Sequence, residues 1–192
     1  DYSQGFERGI QIDDTWDEAV TFAVLEAAEH AAEKVSRLIR GRENDPDQRE
    51  KVVAIAEDFV RLAFREKLSQ EELEWIVHRK FNPKTPLHTS IEKVVLFTLK
   101  SPRFLYPEWQ ALAKDTKDSS VVASRLALYL WDSLPDMNMH DLIDRGQFIK
   151  ESQIEDQAKQ MTMDSRAKAK FHDFLLHWLD MNAEELPTKS TQ

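Results

Sequence analysis

The sequence contains no cysteine, and it is poor in the residues that interrupt helices. Its 192 residues include only four Gly and seven Pro. Without cysteine there can be no disulfide, no thiolate metal site and no covalent c-type haem attachment within the chain. The cellular compartment stays open, because a cysteine-free domain is stable in either redox environment. The few Gly and Pro stand between segments of periodic hydrophobicity, which favours a mostly helical chain.

Basic residues are the second shortage. The chain has 26 Lys and Arg against 35 Asp and Glu, which gives a formal net charge of -9. Proteins that bind nucleic acid need an excess of Lys and Arg on one face, so we expect no nucleic-acid partner. Long apolar runs are also missing, since none approaches the roughly 18 residues that a membrane-spanning helix requires. We therefore expect no direct membrane span.

The composition that remains is that of a folded globular protein, with 41% hydrophobic and 32% charged residues. Along most of the chain the apolar residues recur at intervals of three and four, the period of an amphipathic helix. We therefore predict an all-α fold, a multi-helix bundle of about eight helices with no significant sheet.

Capping motifs mark several predicted helix starts. Thr15, Ser69 and Ser152 are each followed by Glu at the third position, as in a capping box, where hydroxyl and carboxylate each accept from a backbone N–H. Asp136, after a Leu-Pro pair, and Asp164 are predicted caps of two further helices. We expect a helix to begin at each of these five positions.

One stretch, from Ser119 to Trp131, is expected to organise the second half of the chain. Helical spacing places several of its apolar residues on one stripe, namely Val122, Leu126, Tyr129 and Leu130. A matching stripe near the C-terminus contains Phe171, Phe174, Leu175 and Trp178. We predict that the two helices pack together and that both Trp131 and Trp178 are buried.

The predicted domain organisation follows from these segments. An N-terminal helical domain with a connector occupies 1–117, a C-terminal helical domain occupies 118–182, and 183–192 form a polar tail. The connector is aromatic at its start and polar towards its end, which makes it the place where we divide the chain.

Several motifs resemble a known pair of domains. Residues 64–72 (FREKLSQEE) and 101–106 (SPRFLY) resemble the FRRPLTDEE and SPxFLYR segments of one helical domain of unknown function. Residues 123–136 (ASRLALYLWDSLPD) resemble the LASRLSxFLWxSxPD signature of the domain that follows it. Residues 161–167 and 174–179 are similar to the end of that second domain, where RMLxDPRA leads into FxxQWL.

These tandem helical domains of unknown function come from large secreted planctomycete-type proteins that often carry cytochrome c-like modules. The resemblance implies a periplasmic or extracellular location in the cell envelope and an association with cytochromes. It implies no chemistry, because the role of these domains is not established. This chain has no C-x-x-C-H motif, so a haem that serves it must be held elsewhere or without covalent bonds.

The histidines do not form a metal-binding pattern. His172 and His177 are turned about 140° from each other on a helix, so they cannot readily share one ion. Near His30 the Glu-x-x-His motif of di-iron bundles fails, because position 27 is Ala. His140, with methionines close by, could supply an axial pair for a non-covalent haem, or these side chains could simply fill the core. We predict no metal and no cofactor, and leave the haem as an alternative.

No catalytic residue is predicted either. A nucleophilic Ser124 would need a base and a Gly-rich elbow, so we interpret it as a small residue that lets helices approach closely. The neighbouring Arg125 is expected to pair with Asp136 and fix the turn after the central helix. Carboxylate pairs elsewhere lie side by side in the sequence and are expected to face solvent.

The tryptophans separate into two groups. Trp131 and Trp178 lie in register with apolar stripes, whereas Trp16 and Trp109 do not and are the predicted contacts with a partner. We therefore predict a non-catalytic scaffold or docking module that binds other protein chains or domains of the same assembly. The alternative is a fragment of an enzyme acting on polysaccharide or another polymer, completed by other domains. A deep polar cleft would favour the enzyme, and a flat apolar patch near these tryptophans or the tail would favour docking.

Overall fold

A computed structural model describes residues 13–39, 46–106 and 118–179. Over these ranges the chain is helical and contains no strand, which confirms the all-α class. The described helices are α1 (Asp14–Ile39), α2 (Pro46–Phe64), α3 (Gln70–Ile76), α4 (Leu87–Leu99), α5 (Pro102–Leu105), α6 (Ser119–Trp131), α7 (Met137–Asp144), α8 (Glu151–Met163) and α9 (Ser165–Trp178), with a 3₁₀ turn (His78–Lys80) between α3 and α4. None of them has the length and apolar character needed to cross a bilayer.

The chain divides into two compact units, Asp1–Tyr106 and Pro107–Gln192. In the first unit α1 and α2 both pack against α4. α1 contributes small and β-branched residues spaced by three or four, and α4 contributes a β-branched face that includes Val94 and Val95. The buried side chains of this core are Ala28, Val35, Val52, Ala56, Val60, Ala63, Phe64, Leu68, Ile76, Val77, Phe81, Leu87, Ile91, Val94 and Val95.

In the second unit α7, α8 and α9 all pack against α6. Ala123 and Ala127, four residues apart, are fully buried, and such small side chains allow the neighbouring helices to lie close to α6. Larger residues from other segments fill the space around them. The buried side chains of this core are Ala123, Ala127, Trp131, Met139, Phe148 and Met161.

Most of the predicted caps are present. The Ser69 N–H donates to a Glu72 carboxylate oxygen at 2.8 Å, and the Glu72 N–H donates back to the Ser69 hydroxyl at 3.3 Å. Asp136 accepts from the Met139 N–H at 3.1 Å, and Asp164 accepts from the Arg166 N–H at 2.8 Å. These three helix starts are therefore confirmed.

Two helices begin earlier than predicted. Asp13, and not Thr15, caps α1, because its carboxylate accepts from the Trp16 N–H at 2.8 Å. α8 begins at Glu151, before the predicted Ser152 cap. The Lys150 N–H there donates to the Gln153 side chain at 3.0 Å. In both places another acceptor lies close by in the sequence and satisfies the first free N–H groups instead.

The predicted packing of two aromatic stripes is only half right. Trp131 is buried, at 7% exposure, but Trp178 is 70% exposed, so its predicted burial is wrong. α9 contacts its neighbours through other residues: Ala167 packs on the core, and the Lys170 ammonium donates to the Leu128 carbonyl at 2.7 Å. Tyr129, assigned to the inner stripe of α6, is also exposed, at 71%. Periodicity identified the helices but not the faces that they bury.

Candidate functional site

Trp131 is the centre of the polar contacts in the second unit. It is the last residue of α6, and Asp132, in the left-handed region at φ 54°, ends that helix. The indole N–H donates to the Met161 carbonyl at 3.1 Å, so this buried ring has its polar atom paired. The ring thereby joins the end of α6 to the last turn of α8.

Arg166 covers the face of this ring. Its guanidinium carbon lies 3.4 Å from the Trp131 ring centroid, within cation–π range. The same guanidinium contacts Asp136 at 3.0 Å and Asp164 at 2.8 Å, with a second bond from its Nε to Asp164 at 3.0 Å. The side-chain bonds from Arg166 lower the pKa of Asp164 to about 2, and the bonds from Asp164 raise the pKa of Arg166. We call Trp131, Asp136, Asp164 and Arg166 the Trp131 cluster.

The contacts of the Trp131 cluster hold helices together. Both carboxylates cap helices and at the same time bind the arginine, so their acceptor atoms are already used. The arginine placed on Asp136 is Arg166, where the sequence had suggested Arg125. The signal that identifies Arg166 is local: it stands two residues after a capping Asp. Ser124 donates to the Ser120 carbonyl of its own helix at 2.7 Å.

A similar group, the Arg103 cluster, lies in the first unit and consists of Phe64, Glu66, Glu72 and Arg103. The Arg103 guanidinium carbon is 4.5 Å from the Phe64 ring centroid, and the guanidinium binds Glu72 at 2.9 Å and also Glu66. Bonds from the Ser69 N–H and hydroxyl lower the pKa of Glu72, and Arg103 lowers it further.

The residue after Phe64 reinforces the Arg103 cluster. Arg65 has a positive φ of 59° and is only 2% exposed. Its guanidinium donates to the backbone carbonyls of Arg103 and Phe104, and burial lowers its pKa. The FREKLSQEE and SPRFLY segments of the sequence therefore meet in space, and what they build is a polar joint between α2, α3 and α5.

The histidines occupy different environments. His30, His172 and His177 are exposed on helix surfaces, whereas His140 is 2% exposed within the second unit. Within 13–39, 46–106 and 118–179 there is no group of three or more His, Asp or Glu side chains that could hold a metal ion. The non-covalent haem at His140 stays a hypothesis.

His78 was not singled out by the sequence. Its Nε2 lies 2.6 Å from a Glu57 oxygen, and its Nδ1 lies 3.2 Å from Glu74. The hydrogen bond with Glu57 raises the pKa of His78, and Glu74 adds to the effect. Since Glu57 belongs to α2 and His78 to the 3₁₀ turn, the contact links two segments of the first unit and depends on pH.

A row of exposed aromatic residues lies on α9. Phe171, Phe174 and Trp178 are 63%, 43% and 70% exposed. Adjacent ring centroids are 6.4 Å apart in both pairs, and the Phe174 and Trp178 planes differ by only 9°. These three residues, which we call the aromatic surface, form a continuous row along two turns of the helix. Apolar rings are seldom left in such a row unless something binds them.

Of the two tryptophans predicted to contact a partner, the structure describes Trp16 and not Trp109. Trp16 is half-buried near the start of α1, where its ring stacks on Tyr106 with centroids 6.0 Å apart. Trp109 lies outside the described residues. Contact of either residue with a partner stays a prediction.

Comparison with known proteins gives one finding. Residues 118–192 match the model of a family described as "PSD4: Protein of unknown function (DUF1592)". No curated protein and no solved structure matches the chain. The matched range begins next to α6 and contains the Trp131 cluster and the aromatic surface. This part of the chain is thus similar to a domain of unknown function, in agreement with the sequence resemblance on that point.

Proposed function

We propose that the chain is a non-catalytic helical docking module, which binds another chain or domain of the same assembly through the aromatic surface. The observation that carries the proposal is the exposure of Phe171, Phe174 and Trp178 in a unit that buries Trp131 and Phe148. Aromatic side chains are enriched at the centres of protein interfaces, where a few of them supply most of the binding energy.

The spacing of the aromatic surface indicates how it would be bound. Its residues stand at positions i, i+3 and i+7 of one helix. These are the anchor positions of a helix that lays its apolar face into a groove of a partner. The proposed mode is therefore helix α9 in an apolar groove.

The charges around the aromatic surface define the rim of that groove. Helix α9 carries three cations, Arg166, Lys168 and Lys170, against a single acid, Asp173. The helix is thus basic within a chain of net charge -9. Complementary charges at the rim favour the correct partner and speed its encounter, so the proposed partner has an acidic rim.

The setting of this module is proposed from the sequence resemblance. The host would be a secreted or cell-envelope bacterial protein, periplasmic or extracellular, and the assembly would contain a cytochrome or a related redox partner. These statements extend the docking proposal, and each of them can be wrong while the docking proposal remains correct.

Site-specific photo-crosslinking tests the docking proposal. A benzophenone amino acid replaces Phe171 or Trp178 in the cells that make the protein, and crosslinked products are identified by mass spectrometry. Tyr129 is the matched control position, because it is an aromatic residue on α6 that is 71% exposed. We expect one common partner from positions 171 and 178, and its absence from position 129. Capture that is equal at all three positions, or absent at 171 and 178, would contradict the proposal.

The same crosslinked samples test the proposed cellular location and the proposed redox partner. Cell fractionation should place the crosslinked product in the envelope or outside the cell, and the captured partner should show a haem Soret band. A cytoplasmic product, or a partner without haem, would overturn the corresponding part of the proposal and leave docking through the aromatic surface standing.

A further inference from the structure

A pocket of about 610 Å³ in the first unit is lined by three basic residues, and no acidic residue of the described ranges belongs to its lining. Arg79 and Lys80 come from the 3₁₀ turn and Lys93 from α4, with Asn82 and Thr85 from the turn that precedes α4. The Phe97 ring belongs to the same lining and gives it an apolar part. The pocket therefore combines three cations, two neutral polar side chains, an aromatic ring and one aliphatic side chain, Leu96.

The three cations differ from the ion-paired basic residues of the protein. Arg37, Lys100 and Lys159 each lie within 2.9 Å of a carboxylate oxygen. Within the ranges that the structure describes, no carboxylate lies within ion-pair distance of Arg79, Lys80 or Lys93. This group of cations therefore lacks a carboxylate partner within the described ranges, although the chain contains 35 Asp and Glu.

Lys80 is held in place without a carboxylate. Its ammonium lies 4.9 Å from the Trp75 ring centroid and 4.8 Å from the Phe97 ring centroid, and it donates to the Trp75 carbonyl. The Trp75 and Phe97 rings meet edge to face, with their centroids 4.7 Å apart. Burial lowers the pKa of Lys80, and the charge of Arg79 lowers it further. An anion in the pocket would relieve this repulsion.

We propose that this pocket binds an anionic group, phosphate, sulfate or carboxylate, carried by a ligand whose ring or sugar part lies against Phe97. Arg79, Lys80 and Lys93 would neutralise the charge, and the Asn82 amide and the Thr85 hydroxyl would supply neutral donors. The site shares no residue with the aromatic surface, so it is independent of the docking function.

Titration of the ¹⁵N-labelled full chain with inorganic phosphate, at constant ionic strength, tests the site by NMR. We expect saturable shifts of the backbone amides of residues 79–85 and 93–97. Glucose 6-phosphate and glucose distinguish the sources of the anion. Tighter binding of glucose 6-phosphate than of phosphate, with none of glucose, supports a ligand that also uses Phe97. Equal binding of the two phosphates would overturn the contact with Phe97.

Matched variants test whether the charges of the pocket are responsible for phosphate binding. Arg79→Gln and Lys93→Gln change exposed side chains, so circular dichroism should remain that of the parent protein. Each is expected to weaken phosphate binding by about tenfold, the effect of losing one charge-assisted hydrogen bond. Lys34→Gln, an exposed lysine of α1 outside the pocket, should leave binding unchanged. Shifts that do not saturate, or an equal loss in all three variants, would overturn the proposal.

Discussion

In the first unit α2 ends at Phe64, and in the second unit α6 ends at Trp131. Each aromatic residue is followed by one with positive φ, Arg65 at 59° or Asp132 at 54°. A capping residue, Ser69 or Asp136, comes five positions after the ring in both units and starts the next helix. The two units therefore turn from one helix to the next in the same way.

The arginines of the two units also correspond. Arg103 and Arg166 each stand two residues after a helix cap, Ser101 or Asp164, and each donates its N–H to that cap. Each guanidinium lies over the aromatic ring and binds two carboxylates. The same arrangement in both units, within the segments on which the family resemblance rests, indicates that it maintains the fold.

The units differ at the residue with positive φ and in the aromatic surface of α9. In the first unit the residue with positive φ, Arg65, is 2% exposed, and the exposed aromatic residues Phe22 and Trp75 lie on two different helices. In the second unit the Asp132 side chain is 76% exposed, and α9 leaves its aromatic rings outside. Since the shared arrangement is structural, the function is better sought where the units diverge, on the aromatic surface and in the basic pocket.

The largest effect on stability is expected from replacing Trp131, the buried ring of the second unit. Trp131→Ala removes a buried indole and should lower the free energy of unfolding by about 3–5 kcal/mol. Urea denaturation followed by circular dichroism measures the change. Trp131→Phe, which retains a ring but loses the N–H to the Met161 carbonyl, should cost clearly less. Equal costs for the two variants would show that the ring contacts are unimportant.

Replacing the arginines tests whether the two clusters are equivalent. Arg166→Met and Arg103→Met each leave two carboxylates without their cation and should destabilise their own unit by roughly 1–3 kcal/mol, since the arginines are about one-third exposed. Arg→Lys at either position retains the charge but loses the planar fork, and it should recover only part of the loss. A large effect at one position and none at the other would refute the equivalence.

Acid should weaken the second unit through Asp164. Its pKa is lowered to about 2 in the folded protein, below the value of about 3.9 that is usual for an unfolded chain. The ionised form therefore stabilises the fold above about pH 4, and that contribution disappears as the pH falls towards 2. Asp164→Asn, which can still cap α9, should remove this part of the acid dependence in unfolding experiments between these pH values. An unchanged profile would contradict the assignment.

The stability of the first unit should change with pH in the opposite direction, because of His78. Its pKa is raised, so the contribution of the His78–Glu57 pair is complete below the unfolded value of about 6.5 and is lost as the pH rises through the folded pKa. NMR titration of the imidazole gives that folded pKa directly. Glu57→Gln should bring it down, whereas Glu50→Gln, an exposed change on the same helix, should not.

The smallest effect on stability is expected at the aromatic surface. Trp178→Ser changes a side chain that is 70% exposed, and surface substitutions usually stay within about 0.5 kcal/mol. Denaturation of this variant beside Trp131→Ala gives the contrast. A loss comparable to that of Trp131→Ala would mean that the Trp178 ring is packed, and it would remove the basis of the docking proposal.

The sequence predicted what depends on neighbouring residues and failed where distant segments decide. The capping box of Ser69 and the caps at Asp136 and Asp164 could be predicted because donor and acceptor are two or three residues apart. The contact of Arg166 with Trp131 could not, since 35 residues separate them and no local pattern encodes their meeting. Trp178 shows the same limit: its helical register is correct, yet periodicity does not tell whether another element covers that face.

The bond from the Trp131 indole to the Met161 carbonyl limits how the chain can change in length. It fixes the last turn of α8, only five residues before Arg166 must arrive over the same ring. One inserted residue between them would rotate the arginine by about 100° around its helix axis and carry it away from the ring. Insertions and deletions should therefore be tolerated poorly between Met161 and Arg166, although the junction of α8 and α9 at Asp164 is a helix connection, where length variation is ordinarily accepted.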